Sequence, residues 1–206
     1  MEHDYLFKLL ILGDHYTGKS SILHRFIDNS RLLNSIPTIG IDFKVGYFKD
    51  ASDRNIKLHF WDTGGHPEYE HIISGYYKNT AAAIIVFDVT RAHTFNSIDY
   101  YLNKLAELGD TNIRQPILLI GNKTDLTRSR VISSNEALTY AKEHNLYYIE
   151  TCALIDDNID EKLKDFFNYI SEHYIDNNIS HPGIRTNYKT ISVEPSREKI
   201  DCCIPS

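Results

Sequence analysis

GDHYTGKS, residues 13–20, is the stretch that decides the fold of this chain. It has the outline G-x-x-x-x-G-K-S of a phosphate-binding loop. An apolar run, YLFKLLIL (residues 5–12), precedes it, and SSILHRFIDN (residues 20–29), with helical spacing, overlaps its end. A strand, a glycine-rich turn and a helix in this order are the setting in which the pattern binds phosphate. The alternative is a serine-capped turn without a ligand, and the rest of the chain has to decide between them.

The loop contains the groups that a nucleoside triphosphate needs. Backbone N–H groups at the helix start can converge on the β-phosphate, Lys19 can reach the β- and γ-phosphates, and Ser20 can bind Mg²⁺. The interior is unusual, because an imidazole (His15) and a phenol (Tyr16) stand in backbone that must wrap closely around phosphates. The predicted phosphate-contacting residues are Gly13, Asp14, His15, Tyr16, Thr17, Gly18, Lys19, Ser20 and Ser21.

Two later motifs fit a nucleotide site. In WDTGG (residues 61–65) the Asp62 carboxylate can hold a Mg²⁺-bound water, and Gly65 can bring its N–H against the γ-phosphate. In NKTD (residues 122–125) the Asp125 carboxylate can accept two N–H groups from guanine but not from adenine. Asn122 can tie this loop to the phosphate loop, and the stem of Lys123 can lie along the base.

Apolar patterning predicts an α/β fold. AAAIIVFD (residues 81–88) and PILLIGN (residues 116–122) are continuous apolar runs, typical of parallel strands covered on both faces. DFKVGYFK and NIKLHFW alternate around the turn DASDR and predict a hairpin. We expect a P-loop NTPase with a six-stranded, mostly parallel sheet, one antiparallel edge strand and helices on both faces.

Length and composition indicate the number of domains, the class of partner and the redox compartment. A length of 206 residues suits a domain over residues 1–175 and a flexible tail over residues 176–206, where periodicity is lost. The net charge of −6 argues against nucleic acid as a partner. Three cysteines, two of them adjacent, do not form a disulfide framework and favour a reducing compartment.

ETCAL, residues 150–154, completes a set of motifs that resembles the Ras superfamily of small GTPases, and within it the Rab family. The resemblance covers about residues 5–174 and includes PTIGIDF (residues 37–43) and YYKNTAAAIIVFDVT (residues 76–90). It implies that Thr38 joins Ser20 and Asp62 at Mg²⁺ and senses the γ-phosphate. It places Cys152, Ala153 and Leu154 beside guanine, with the Ala153 N–H on O6, and Arg31 where an aromatic residue normally covers the base.

The family also implies activity and partners: GTP hydrolysis, effector proteins, an exchange factor and a role in vesicle trafficking. The implied catalytic residues are Lys19, Thr38, Gly65 and His66, the last replacing the family's glutamine. A neighbouring proline and His15 further predict slow hydrolysis. A GTP-binding scaffold with little or no hydrolysis is the alternative. Phe43, Trp61 and Tyr76 would form an aromatic triad that effectors contact, or else ordinary sheet core.

The C-terminus ends in DCCIPS, which resembles a substrate of the prenylation machinery at Cys202 and Cys203. One farnesyl group, two geranylgeranyl groups and an unmodified end are the alternatives. Residues 176–206 contain four basic and four acidic side chains, so no polybasic patch supports a single lipid. We therefore favour two lipids and expect the protein in the cytosol and on the cytoplasmic face of intracellular membranes.

Overall fold

Seven strands form a single sheet in the structure, a computed structural model that describes residues 2–28, 37–110, 115–155 and 159–186. The strands are β1 (Tyr5–Leu12), β2 (Ile41–Lys49), β3 (Asn55–Thr63), β4 (Ala82–Asp88), β5 (Ile117–Asn122), β6 (Tyr147–Glu150) and β7 (Ile184–Thr186). Six of them lie in the order β2-β3-β1-β4-β5-β6. Neighbours in that row are parallel except in the β2–β3 hairpin. The predicted mostly parallel sheet with one antiparallel edge strand is therefore confirmed, although β7 makes it a sheet of seven strands and not the predicted six.

Helices connect these strands. In the described ranges they are α1 (Lys19–Asp28), α2 (Glu70–Ile73), α3 (Ala92–Asn96), α4 (Ile98–Leu108), α5 (Ser134–Glu143) and α6 (Ile159–Ser171). Single turns of 3₁₀-helix lie at Pro67–Tyr69, Ser74–Tyr76 and Thr127–Ser129, and a π-helical turn at Glu172–Asp176 follows α6. At the start of α5, Ser133 Oγ accepts the N–H of Glu136 at 3.1 Å and so caps the helix.

Two apolar clusters cover the opposite faces of the sheet. Phe7, Leu9 and Ile11 of β1 belong to the cluster with α1 and α6, whereas Leu10 and Leu12 belong to the one with α3, α4 and α5. Because side chains alternate along a strand, β1 contributes to both faces. All of β4 is buried, as predicted for a strand covered on both sides. The carboxyl ends of the parallel strands are thus left at one edge, where ligands of such sheets bind.

The chain beyond α6 is ordered further than the sequence predicted. The Tyr174 hydroxyl donates to the carbonyl of Ala81 at 2.7 Å, and β7 then pairs antiparallel with the start of β1. Gly183 permits this approach, because a Cβ there would lie 2.5 Å from the carbonyl oxygen of Asn79. The predicted flexible tail is therefore wrong for residues 176–186. A strand of three residues is too short to show a period in the sequence.

Several predicted features lie outside the described residues. These are Arg31, both terminal cysteines (Cys202 and Cys203) and the rest of the predicted tail from residue 187. Within the described ranges, none of the helices has the length and apolar character needed to cross a bilayer.

Candidate functional site

The phosphate loop connects β1 to α1 at the carboxyl edge of the sheet. Gly13 has φ +133°, and a Cβ there would lie 2.2 Å from the carbonyl oxygen of Val86 on β4, so only glycine fits. Lys19 is buried, and its ammonium donates to the carbonyls of Gly13 and Asp14 at 2.8 Å each. Burial lowers the pKa of Lys19 to about 8. An anion bound in this loop would favour the charged form of that lysine.

Ser20, Thr38 and Asp62 converge beside the loop, as the sequence predicted for a metal site. Ser20 Oγ lies 2.9 Å from Thr38 Oγ1 and donates to Asp62 Oδ2 at 2.5 Å. The other carboxylate oxygen, Asp62 Oδ1, is buried and has no hydrogen-bond partner in the described structure. Burial raises the pKa of Asp62. Two hydroxyls and a buried carboxylate with an unused oxygen are the hard oxygen ligands that Mg²⁺ prefers, so these residues fit the ion.

Two glycines bring the loop after β3 against this centre. Gly65 has φ +71°, and a Cβ there would lie 2.3 Å from the Gly13 carbonyl oxygen and 2.6 Å from Lys19 Nζ. A Cβ on Gly64 would lie 2.3 Å from the carbonyl oxygen of Thr38. The backbone of this loop can therefore reach the end of the phosphate site, because neither position carries a side chain.

The NKTD loop forms a second pocket, of about 330 Å³, next to the phosphate loop. Its lining includes six of the residues predicted for the base: Asn122, Lys123, Asp125, Cys152, Ala153 and Leu154. Asn122 joins the two parts of the site, since its Nδ2 donates to the Thr17 carbonyl at 2.8 Å and its Oδ1 accepts the Ala153 N–H at 3.2 Å. That N–H, expected to meet guanine O6, thus already has a partner within the protein.

Cys152 stands beside Asp125 in this pocket. Burial and the neighbouring Asp125 carboxylate raise the pKa of its thiol. A thiol held neutral is a poor nucleophile, so the geometry agrees with Cys152 as a small packing residue at the base pocket.

Four residues that the sequence analysis did not assign hold the phosphate loop in place. Ser97 and Tyr101 donate to the Asp14 carboxylate at 2.9 Å each, which turns that side chain towards α4. Asp88, at the end of β4, forms an ion pair with Arg91 at 2.9 Å. Arg91, Ser97 and Tyr101 lie 75 to 87 residues from the loop residues that they contact, so no local pattern in the sequence indicates these contacts.

His66, which the resemblance placed at the family's glutamine position, lies on the surface after Gly65. Its side chain is 46% exposed, and Nδ1 accepts a long hydrogen bond from the Glu68 N–H at 3.4 Å. Its ring lies 5.7 Å from that of His15, centroid to centroid. The structure thus brings together His15 and His66, the two histidines on which the prediction of slow hydrolysis rests.

The aromatic triad is contiguous and partly exposed. The ring of Trp61 lies 4.8 Å from that of Phe43 and 4.6 Å from that of Tyr76. Phe43 is 42% exposed, whereas Trp61 and Tyr76 are half-buried and pack against the apolar cluster on the α4 side. The triad is therefore part sheet core and part surface.

A glycine-rich loop with a buried lysine, an oxygen-ligand site and an adjoining pocket with a carboxylate define the class: a P-loop nucleotide-binding protein. Comparison with known proteins gives the family. The family model for the Ras family matches residues 8–197. The chain therefore belongs to the Ras family, and its relatives are Rab and Ypt proteins, which makes it a Rab-type small GTPase.

These relatives cover nearly the whole chain. GTP-binding protein ypt3 of Schizosaccharomyces pombe is 35% identical over 206 residues, 97% of this chain and 94% of the relative. Ras-related protein RABA2a of Arabidopsis thaliana is 36% identical over 214 residues, 100% and 97% of the two chains. Ras-related protein rab-11.1 of Caenorhabditis elegans is 36% identical over 211 residues, 99% and 97%. Membership of this family makes the protein a Rab-like GTP-binding switch of vesicle trafficking.

Proposed function

We propose that this Rab-like switch binds GTP with Mg²⁺, hydrolyses it slowly to GDP, and recruits effector proteins to membranes in its GTP form. The observation that carries the proposal is the meeting of the phosphate pocket and the NKTD pocket, which share Tyr16, Gly18 and Ser21 in their linings. One ligand can therefore contact both Lys19 and Asp125. Neither motif alone requires a nucleotide, but together they fit one.

Asp125 is the residue that we propose to select guanine. Its carboxylate has only acceptor oxygens, which match the N1–H and the exocyclic amine of guanine, while adenine presents an acceptor at that edge. The pocket also holds neutral Cys152 and apolar Leu154, and Asp125 is the only carboxylate among the described residues that line it, so no second acceptor of this kind competes for the base.

This specificity is tested by titration. In the presence of Mg²⁺ we expect GTP and GDP to displace a fluorescent guanine nucleotide while ATP does not. Asp125→Ala should lose most of this preference, because the discriminating acceptor is gone. Equal competition by ATP against the wild-type protein would overturn the proposed function.

For hydrolysis, the chain supplies groups that neutralise and position the phosphates more than it supplies a general base for the attacking water. Lys19, the N–H of Gly65 and Thr38 are the groups that would hold the γ-phosphate. Mg²⁺, when bound by Ser20, Thr38 and Asp62, would neutralise phosphate charge. A water still has to be oriented, and His66 is short, rigid and followed by Pro67, which fixes φ and removes a backbone donor. Slow turnover follows from this substitution.

His15 adds a second obstacle. Its exposed ring stands in the phosphate loop and faces His66, on the side where an activating protein would insert an arginine. Such an arginine contributes on the order of 10³ to 10⁵ in rate. We therefore propose that this protein responds poorly to activators that use an arginine.

The rival function is a GTP-binding scaffold that does not cycle by hydrolysis. It is favoured by the surface position of His66, whose Nδ1 bonds within its own turn to Glu68. Single-turnover hydrolysis separates the two. We expect a slow but measurable rate that rises in a double variant, His66→Gln with His15→Ser. No phosphate release from the wild type over many hours would favour the scaffold, and equal rates in wild type and double variant would refute the roles given to both histidines.

We further propose that Phe43, Trp61 and Tyr76 contact effectors, and that prenyl groups on Cys202 and Cys203 hold the protein on membranes. The exposed fraction of the triad supports the first part. The paired cysteines support the second, because one lipid without a polybasic patch binds membranes only marginally. Intact-mass measurement after expression in a eukaryotic host should give two prenyl groups, and one or none would contradict it.

A further inference from the structure

Tyr16 stands where the phosphate pocket meets the base pocket. Three residues line both, Tyr16, Gly18 and Ser21, and Tyr16 alone among these three has an aromatic ring. Tyr16 is 60% exposed. A ligand that occupies both pockets must pass beside this ring.

The backbone of Tyr16 has an uncommon conformation. Its φ of +62° lies in the left-handed region, which disfavours bulky side chains. A large residue persists there only when surrounding structure holds it. The interactions that hold it therefore bear on what the ring does.

Two cations fix the Tyr16 carbonyl. Lys123 Nζ donates to this oxygen at 2.7 Å, and Arg91 Nη2 donates to it at 2.8 Å. Both cations also pair with the Asp88 carboxylate, at 2.7 and 2.9 Å. Because Asp88 is buried at the end of β4, the loop at Tyr16 is anchored to the central sheet. The backbone of Tyr16 is thereby held at the junction of the two pockets.

The ring of Tyr16 also belongs to a line of four aromatic side chains. The centroid distances are 5.1 Å from Tyr16 to His15, 5.7 Å from His15 to His66 and 6.1 Å from His66 to Tyr69. The line runs from Tyr16, which lines the base pocket, to the turn at Pro67–Tyr69, so the neighbouring ring of Tyr16 is that of His15 in the phosphate loop.

We propose that Tyr16 retains the bound nucleotide: its ring closes the junction between the two pockets and slows release, and Arg91 is a positioning residue that acts through the Tyr16 carbonyl. The inference rests on the proposed function, since it takes a guanine nucleotide as the ligand. It adds an aromatic contact to those already proposed for the backbone groups, the metal ligands, Lys19 and Asp125. An aromatic ring beside a nucleotide is a stabilising contact that does not depend on charge.

The test is release of a fluorescent GDP analogue from the full-length protein with Mg²⁺ and excess unlabelled GDP. Tyr16→Ala should release about tenfold faster, the order expected for one aromatic contact with a nucleotide, whereas Tyr16→Phe should stay near the wild-type rate. Tyr47→Ala is the matched control, since Tyr47 is similarly exposed, at 45%, and lies on β2 away from both pockets. Tyr16→Gly separates the ring from the backbone, because glycine relieves the left-handed conformation.

Each outcome decides the proposal. Wild-type protein that does not bind the analogue would reject the proposed function before any variant is compared. If it binds, wild-type release from Tyr16→Ala, or slower release from Tyr16→Gly, would overturn the retaining role. Arg91→Ala should also speed release, and adding it to Tyr16→Ala should have no further effect if Arg91 acts through Tyr16. Fully additive rates would reject that positioning role.

Discussion

Replacing Asn122 with alanine removes a side chain that joins three backbone segments. The Asn122 amide donates to the Thr17 carbonyl in the phosphate loop at 2.8 Å and accepts the Ala153 N–H in the base pocket at 3.2 Å. All three residues are at most 6% exposed: Asn122 is 2%, Thr17 0% and Ala153 5%. The variant therefore leaves one buried acceptor and one buried donor without their partner.

The magnitude follows from these two groups. A buried polar group that loses its partner costs about 1 to 3 kcal/mol, so with two such groups Asn122→Ala should lower the free energy of unfolding by roughly 2 to 6 kcal/mol. Because Thr17 and Ala153 lie on opposite sides of the site, about 2 kcal/mol of this should also be lost from nucleotide binding. That corresponds to release of GDP about thirtyfold faster.

Urea unfolding and release of a fluorescent GDP analogue measure the two effects. Asn168→Ala is the matched control: Asn168 Oδ1 accepts the Ala51 N–H at 3.0 Å at an exposed position, so its loss should change stability by less than about 0.5 kcal/mol. Asn122→Asp keeps an acceptor for Ala153 but sets a carboxylate against the Thr17 carbonyl, so it should not restore binding. An Asn122→Ala protein with the unfolding free energy and the GDP release rate of the wild type would refute the reasoning.

Three other changes test separate parts of the structure. Gly65→Ala should abolish most hydrolysis with little loss of GDP binding, because its Cβ would lie 2.3 Å from the Gly13 carbonyl oxygen; single-turnover assays measure this, and an unchanged rate would contradict it. Gly183→Ala should lower the unfolding free energy by about 1 to 3 kcal/mol in urea, since a side chain there collides with backbone; a stability equal to that of the wild type would mean that β7 does not pack as described. Burial would raise the pKa of Glu150, but hydrogen bonds from Arg130, Tyr148 and Ser134, together with the charge of Arg130, outweigh it and lower the pKa to about 2. The Arg130–Glu150 pair therefore stabilises the fold above the ordinary glutamate pKa of about 4.3, and this stabilisation is lost as the pH falls towards 2. Arg130→Met should thus cost roughly 1 kcal/mol at pH 7 and progressively less below pH 4 in urea titrations, and a difference independent of pH would argue against the pair.

Much of the fold could be predicted because its signals are local. The continuous apolar runs of β4 and β5, the hairpin alternation and the serine cap of α5 each occupy a short window of sequence. The approximate position of the site followed from the same windows, since strand ends in a parallel sheet share one edge.

The remainder depends on contacts between distant segments. Nothing in the sequence around Arg91 indicates that its guanidinium holds the carbonyl of Tyr16, 75 residues earlier in the chain. The left-handed backbone at Tyr16 cannot be predicted from the sequence either, because tyrosine is not a residue typical of positive φ. Strand β7 was missed since its three residues gain their order from pairing with β1. The unusual residues of the loop, His15 and Tyr16, can be recognised from the sequence, but the rings that lie next to their side chains cannot.

Strand β7 also sets the direction in which the chain departs from the domain. Thr186 pairs with Tyr5, at the amino end of β1, while the phosphate loop follows the other end of that eight-residue strand, about 25 Å away. The 20 residues after Thr186 therefore start at the end of the domain opposite the opening of the nucleotide site. If those residues carry lipid, the attachment to the membrane starts at the end of the domain away from the nucleotide site, so it does not have to cover the opening through which nucleotide enters and leaves.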